Sequence, residues 1–140
     1  VIPHPLRQVS ASEESVDRML ETFGDYYFAP TPCPEITVVR RAAVELARRG
    51  MGLVTRAPAG REAAYRDLPD NVEILEGSLD YDAAILAAQG VGILNRYQYR
   101  VSAVFFEALS AGKRCLMRDC LFARQAGETY QDAEIDLLPP

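Results

Sequence analysis

From Asp25 onward, short apolar runs alternate with stretches of helical periodicity, and this alternation is the feature that most restricts the fold. Tyr26–Ala29, Met51–Val54, Val72–Leu75, Val91–Leu94 and Arg114–Met117 are rich in Val, Ile, Leu, Phe or Tyr and show no clean period of two. Runs of that kind are expected of parallel strands covered on both faces. A weaker sixth run spans Ala133–Leu138. Between the first two runs, Pro34 stands where a first-turn proline is tolerated, and Ile36, Val39, Ala43 and Leu46 form one stripe. Arg40, Arg41, Glu45, Arg48 and Arg49 take the wet side, with Gly50 at C′. Ala59 to Asp67 makes a poorer helix around Ala63, Ala64 and Tyr65. Asp80 or Asp82 caps a third helix running through Ala84, Ile85, Leu86 and Ala88 to Gly90, and a fourth begins near Val101 and stops at Gly112. Strand followed by helix, four times over, predicts βαβ units and a parallel sheet with right-handed crossovers.

Residues 1–24 differ in character from the rest of the chain. Val1 to Leu6 carries two prolines, which disfavour helix, and Ser10 to Phe23 is acidic, with Val16, Met19, Leu20 and Phe23 at roughly helical spacing. This reads as a linker and a short, largely solvated helix preceding one domain over residues 25–140. The start at Val1, without Met or a signal-peptide pattern, is expected of a piece of a longer chain. A net charge of −5 argues against a nucleic-acid surface, which needs a basic stripe. No run of about 18 apolar residues predicts a transmembrane segment. Three scattered cysteines and one histidine fit neither a disulfide framework nor a zinc site, so buried, reduced thiols in a cytoplasmic protein are expected.

In open α/β sheets, ligands bind beyond the carboxyl ends of the strands, where strand order reverses. The residues at those ends are Pro30 and Thr31, then Arg56, then Gly77 and Ser78, then Asn95 and Arg96, then Arg118 and Asp119. Three of these five loops carry an arginine in an otherwise acidic chain, which points to an anionic ligand. On the helix after Asn95, Val101, Val104, Phe105, Ala108 and Leu109 share a face expected to pack on the sheet. Glu107 lies elsewhere, beside the small residues Ala103, Ser110 and Ala111. A carboxylate so flanked can accept two hydroxyls of a ribose diol; the same spacing also fits an ordinary surface carboxylate. The amides of Val101, Ser102 and Ala103 open the helix and suit a phosphate, about 8 Å from Glu107 at 1.5 Å per residue.

Several segments carry a family resemblance. Val1-Ile-Pro-His4-Pro resembles an interdomain crossing segment, and Asn71-Val-Glu-Ile-Leu-Glu-Gly77 a strand motif. Tyr81 to Leu94 resembles the helix and strand before a donor loop, and Phe106-Glu107-Ala-Leu-Ser-Ala-Gly112-Lys-Arg-Cys-Leu an E-A-x-A-x-G stretch. In this order they resemble the C-terminal domain of GT-B glycosyltransferases, over nearly the whole chain, and in particular the large retaining group. The resemblance implies a Rossmann-like, three-layer, doubly wound parallel α/β sheet of about six strands in the order 3-2-1-4-5-6. It implies a nucleotide diphosphate-sugar as donor substrate, no other cofactor, no metal, and an acceptor held by an N-terminal domain of the same chain. It allows peripheral membrane association of that parent enzyme and leaves the isolated fragment inactive.

By position, the resemblance places Glu107 on the donor ribose, the amides of Val101, Ser102 and Ala103 on the phosphates or sugar, and Gly77 and Ser78 on the base. Tyr99 stands where the family's first motif glutamate contacts the donor sugar, and Pro30 to Glu35 replaces the usual diphosphate-clamping Arg and Lys. Arg40, Arg56, Arg96 and Arg100 are the candidate replacements. No catalytic residue is assigned, and His4 reads as part of the linker. The alternatives are a non-catalytic nucleotide- or partner-binding relative and a GT-B nucleotide-sugar epimerase. A receiver-like signalling domain would need clustered acids after the first strand and an Asp ending the third, where this chain has Pro30-Thr31 and Gly77.

Overall fold

The computed structural model describes residues 8–97 and 102–139. Along the chain run α1 (Glu13–Phe23), β1 (Tyr26–Ala29), α2 (Ile36–Arg48), β2 (Gly52–Thr55), a 3₁₀ helix (Glu62–Asp67), β3 (Val72–Ile74) and α3 (Tyr81–Ala87). They are followed by β4 (Gly90–Ile93), α4 (Ala103–Ser110), β5 (Arg114–Met117), α5 (Leu121–Thr129) and β6 (Ile135–Leu137). The strands form one six-stranded sheet, all parallel, in the order β3-β2-β1-β4-β5-β6. The alternation of strand and helix predicts the parallel sheet, and the doubly wound, Rossmann-like order, reversing between β1 and β4, is the one the resemblance implies.

The reversal divides the helices. Right-handed crossovers that step one way from β1 put α2 and the 3₁₀ helix on one face, and those that step the other way put α4 and α5 opposite. Along β1, Tyr26 and Phe28 enter the core that holds Ile85, Phe105 and Phe122, while Tyr27 and Ala29 enter the core that holds Val39, Leu46 and Tyr65. All four are buried, which is why the run shows no polar alternation. Burying Tyr26 and Thr55 requires partners for their hydroxyls. Tyr26 donates to the Ala84 carbonyl at 2.6 Å and Thr55 to the Ala29 carbonyl at 2.7 Å. Burial pushes the Tyr26 phenol well above its usual range.

Acidic α1 behaves as its composition suggests. Ser12 caps it by accepting from the Ser15 amide at 3.1 Å, Glu13 and Glu14 sit in its first turn, and none of its residues is fully buried. It nevertheless lies against α3, with Val16, Met19 and Phe23 on the core. The Ser10 amide donates to Asp82 at 3.2 Å.

Several boundaries differ from the sequence-based expectation for identifiable reasons. β2 is shifted one residue later than the apolar run, to Gly52–Thr55, as its pairing with β1 runs on to Thr55, and β4 begins one residue earlier, at Gly90, a glycine that carries no hydrophobic signal. The α2 stripe is wider than predicted, with Val38 and Ala42 also buried. The Ala59–Asp67 helix is only a 3₁₀ stretch, as Pro58 and Gly60 at its start would dictate. Asp80, not Asp82, caps α3, accepting from Ala83 at 3.2 Å. On α4, Phe106 is buried beside Phe105 and Ala108, whereas Val104 and Leu109 are only half-buried. α5 lacks a clear stripe of large apolar residues and has no counterpart among the predicted helices; its buried side is Phe122, Ala123 and Ala126.

Candidate functional site

The carboxyl ends of β1, β2 and β3 and the loops after β4 and β5 form one rim, and the candidate residues fall into three groups along it. At the β2–β3 end, Arg56 Nη2 donates to the Gly77 carbonyl at 2.7 Å, so two residues picked from sequence do meet. Gly77 has φ +78°, the left-handed region in which a β-carbon is strained, and Ser78 beside it is exposed. Arg56 and Gly77 line a cavity of ≈ 580 Å³ together with Tyr65, Arg66, Ile74 and Glu76. That volume is in the range of sites for small organic ligands.

The second group lies under α4. Ser102 is its N-cap, 2 % exposed, and its hydroxyl accepts from the Phe105 amide at 3.3 Å. The serine therefore satisfies one of the amides that a phosphate would otherwise use. Ala103, the first helical residue, is exposed. Glu107 is half-buried, and the Tyr81 hydroxyl donates to its Oε1 at 3.0 Å. Tyr81 opens α3 and stands edge-on to Phe28 of β1 at 5.7 Å, which holds the phenol in place. Glu107 is thus an oriented carboxylate and not an acid in bulk water. It is absent from the lining of the Arg56–Gly77 cavity. Tyr99, Arg100 and Val101 lie outside the described residues.

The third group stands at the switch point. Arg118, after β5, forms an ion pair with Glu35, the N-cap of α2, at 2.7 Å. The Asn95 side chain, after β4, donates to the Pro32 carbonyl at 3.1 Å and closes the β1 loop over the crevice. The hydrogen bond from Arg118 holds the Glu35 carboxyl below its ordinary value against a smaller desolvation effect, and the charges of Arg118, Arg96 and Arg41 add to it. Such a depressed carboxylate contributes stability above its unfolded value and loses it as pH falls through the folded value. In an NMR titration, Glu35 is expected to ionise below 4.5, its ordinary value, and to move upward in Arg118→Ala. An unmoved Glu35 in that variant would show that the pair does not persist in solution.

Sequence reasoning placed Arg118 at a strand end but passed over its partner. Glu35 carried only one weak signal, its place just before a helical stripe. Tyr81 and Tyr65 carried none, because their contacts join segments 26 and 32 residues away. The Tyr65 hydroxyl donates to the Cys33 carbonyl and ties the 3₁₀ helix to the β1 loop.

All three cysteines are free and buried, as expected. Burial pushes the thiols of Cys33 and Cys115 up, the latter to about 12, which removes both as thiolate nucleophiles. Among the described residues no group of His, Cys, Asp and Glu is arranged to hold a metal ion, and no helix is long and apolar enough to cross a membrane. What the rim offers is cationic donors, an oriented carboxylate and an open cavity, a combination suited to an anionic ligand bearing hydroxyls. No protein-family model matches this chain, and no curated protein matches it at a significant level.

Proposed function

We propose that this domain binds the donor of a two-domain glycosyltransferase, a nucleotide diphosphate-sugar whose sugar passes to an acceptor held by an N-terminal domain of the parent enzyme. The observation that carries the reading is Glu107, half-buried on the helix after the switch-point strand and held by Tyr81 at 3.0 Å. A carboxylate fixed in that way can accept both hydroxyls of a ribose without first losing the freedom of its own side chain. The Arg56–Gly77 cavity suits the base, with Ser78 at its edge. Amides of the α4 terminus, together with Arg96 and Arg100, would meet the diphosphate and stabilise the charge that develops on it as the sugar leaves. The parent enzyme on this reading works in the cytoplasm, with peripheral membrane association where its acceptor is lipid-borne.

Calorimetry with UDP, GDP and ADP tests it. Glu107→Ala is expected to weaken the preferred nucleotide about 10- to 100-fold, the loss for hydrogen bonds to a charged group, with the unfolding midpoint barely moved. Unchanged affinity for all three would overturn the assignment. A binding module that transfers nothing is the second reading, favoured by Tyr99 at the position where the resemblance expects a glutamate. Nucleotide binding without turnover by the parent protein, over a panel of donors, would select it. Release of free nucleotide and a 2-epimer without acceptor would select an epimerase instead.

A further inference from the structure

We propose that the cavity of ≈ 200 Å³ between Arg41 and Arg118 binds an oxyanion of the phosphate class, and that Glu35 is the counter-ion the ligand displaces. The cavity lies between α2 and the carboxyl ends of β5 and β6, lined by Arg41, Arg118, Asp119 and Leu138. Its charges are unequally engaged. Asp119 is held by both Arg124 nitrogens at 2.8 and 2.9 Å, so its charge is already answered. Arg41 donates to the Pro139 carbonyl at 3.4 Å, and among the described residues it forms no ion pair. Arg96, whose charge acts on Glu35, forms none either among the described residues. Of the two guanidiniums that line the cavity, beyond the carboxyl ends of β5 and β6, Arg118 is therefore paired with Glu35, while Arg41 has no carboxylate partner among the described residues.

The two partners of the ion pair differ in mobility. The Arg118 side chain is 18 % exposed and its backbone amide is tied to the Ile93 carbonyl at 3.1 Å, whereas the Glu35 side chain is 49 % exposed. The guanidinium is the more enclosed member of the pair, and the carboxylate is the one that faces water. A phosphate oxygen can take its place with the same charge-assisted geometry, and a dianion gains Arg41 as well. An exposed pair is weak enough to be exchanged in this way. The inference uses neither Glu107 nor the Arg56–Gly77 cavity, and Arg96 is the one residue it shares with the nucleotide reading.

Inorganic pyrophosphate titrated by calorimetry into the wild-type domain, Arg118→Ala and Glu35→Gln tests it. The expected pattern is binding to the wild type, at least about a tenfold loss in Arg118→Ala, and a gain of about two- to fivefold in Glu35→Gln, where a competing carboxylate is gone. No pyrophosphate binding, a wild-type affinity in Arg118→Ala, or a loss in Glu35→Gln would each overturn the site. Because Glu35→Gln predicts a gain, a general loss of folding cannot imitate support. UDP competing for the site would identify the diphosphate of a nucleotide as its source, and UDP binding without competition would identify a free oxyanion; both require the site. If pyrophosphate fails while Glu107→Ala still weakens nucleotide, only this inference falls.

Discussion

Truncating Phe105 to alanine is expected to cost about 3–5 kcal/mol of folding stability, the range for an aromatic removed from a packed core. Phe105 is fully buried, and its ring lies 5.3 Å from that of Phe106, 5.5 Å from Phe122 and 5.7 Å from Tyr130. Those contacts tie α4 to α5 and to the residue that ends it, so neither helix can close the void by moving alone. Domains of this size have a total stability of about 5–15 kcal/mol, so the loss is a large share of it. Urea denaturation measures it as a lower midpoint at unchanged slope. A cost below about 1 kcal/mol would mean that α4 is not seated as described. The consequence reaches the candidate site, because α4 carries Glu107 two residues beyond Phe105. Phe105→Leu keeps most of the volume and is expected to cost less than about 1.5 kcal/mol. Any weakening of nucleotide binding in that variant would come from a shifted Glu107.

The sheet was legible in the sequence because burial on both faces leaves a mark that does not depend on neighbours. Tyr26–Ala29 and Arg114–Met117 were bounded to the residue, and the two crossover directions came from the resemblance. Elements whose stability comes from tertiary contact were harder. α5 buries only Phe122, Ala123 and Ala126, two of them alanines that contribute little to a periodicity count. The strand starting at Gly90 was displaced by one residue for a related reason: glycine enters a strand for the space it leaves, and hydrophobicity does not record that.

The site was legible residue by residue and much less so as a constellation. Arg56 and Gly77 were each named as strand-end residues, but that one donates to the other depends on the loop after β3 turning back at Gly77. Glu107 was singled out by its small neighbours Ala103, Ser110 and Ala111. What orients it is Tyr81, a residue on another helix, and no spacing rule connects the two. The arginines at the rim could be named from the sequence, yet a roll of charges does not say which are already answered. Arg118 is matched by Glu35, Arg124 is spent on Asp119, and Arg41 and Arg96 have no carboxylate among the described residues. That inequality, invisible in a net charge of −5, is the part of the electrostatics that bears on ligands.

Gly90→Val should be at least as damaging as the loss of Phe105, through excess volume where that change leaves a void. A β-carbon on Gly90 would stand 2.5 Å from Cε2 and Cζ of Tyr27 and 2.9 Å from the Arg114 carbonyl oxygen. Neither neighbour can yield easily. Tyr27 is 2 % exposed in the α2 face of the core, and Arg114 is the residue paired with Gly90 in the next strand. Alanine alone at this position is expected to cost about 3 kcal/mol, the upper part of the range for overpacking, and the two further carbons of valine more. Gly92 supplies the contrast within the same strand. Its β-carbon would meet the Ala29 methyl at 3.1 Å, with Ala29 Cα at 3.8 Å and Leu53 Cδ1 at 4.0 Å in ordinary contact, and the reduced freedom of the unfolded chain works in favour of the substitution. Gly92→Ala is therefore expected to fall within about 1 kcal/mol of the wild type in the same urea series. Equal costs at the two positions would show that strand propensity, and not the Tyr27 ring, decides the matter. The clash also has a direction. Relieving it separates β4 from β1, the pair that flanks the switch point, and pulls Asn95 away from the Pro32 carbonyl it holds at 3.1 Å. A partly folded Gly90→Ala domain should accordingly lose its ligand affinity at lower urea than it loses helix.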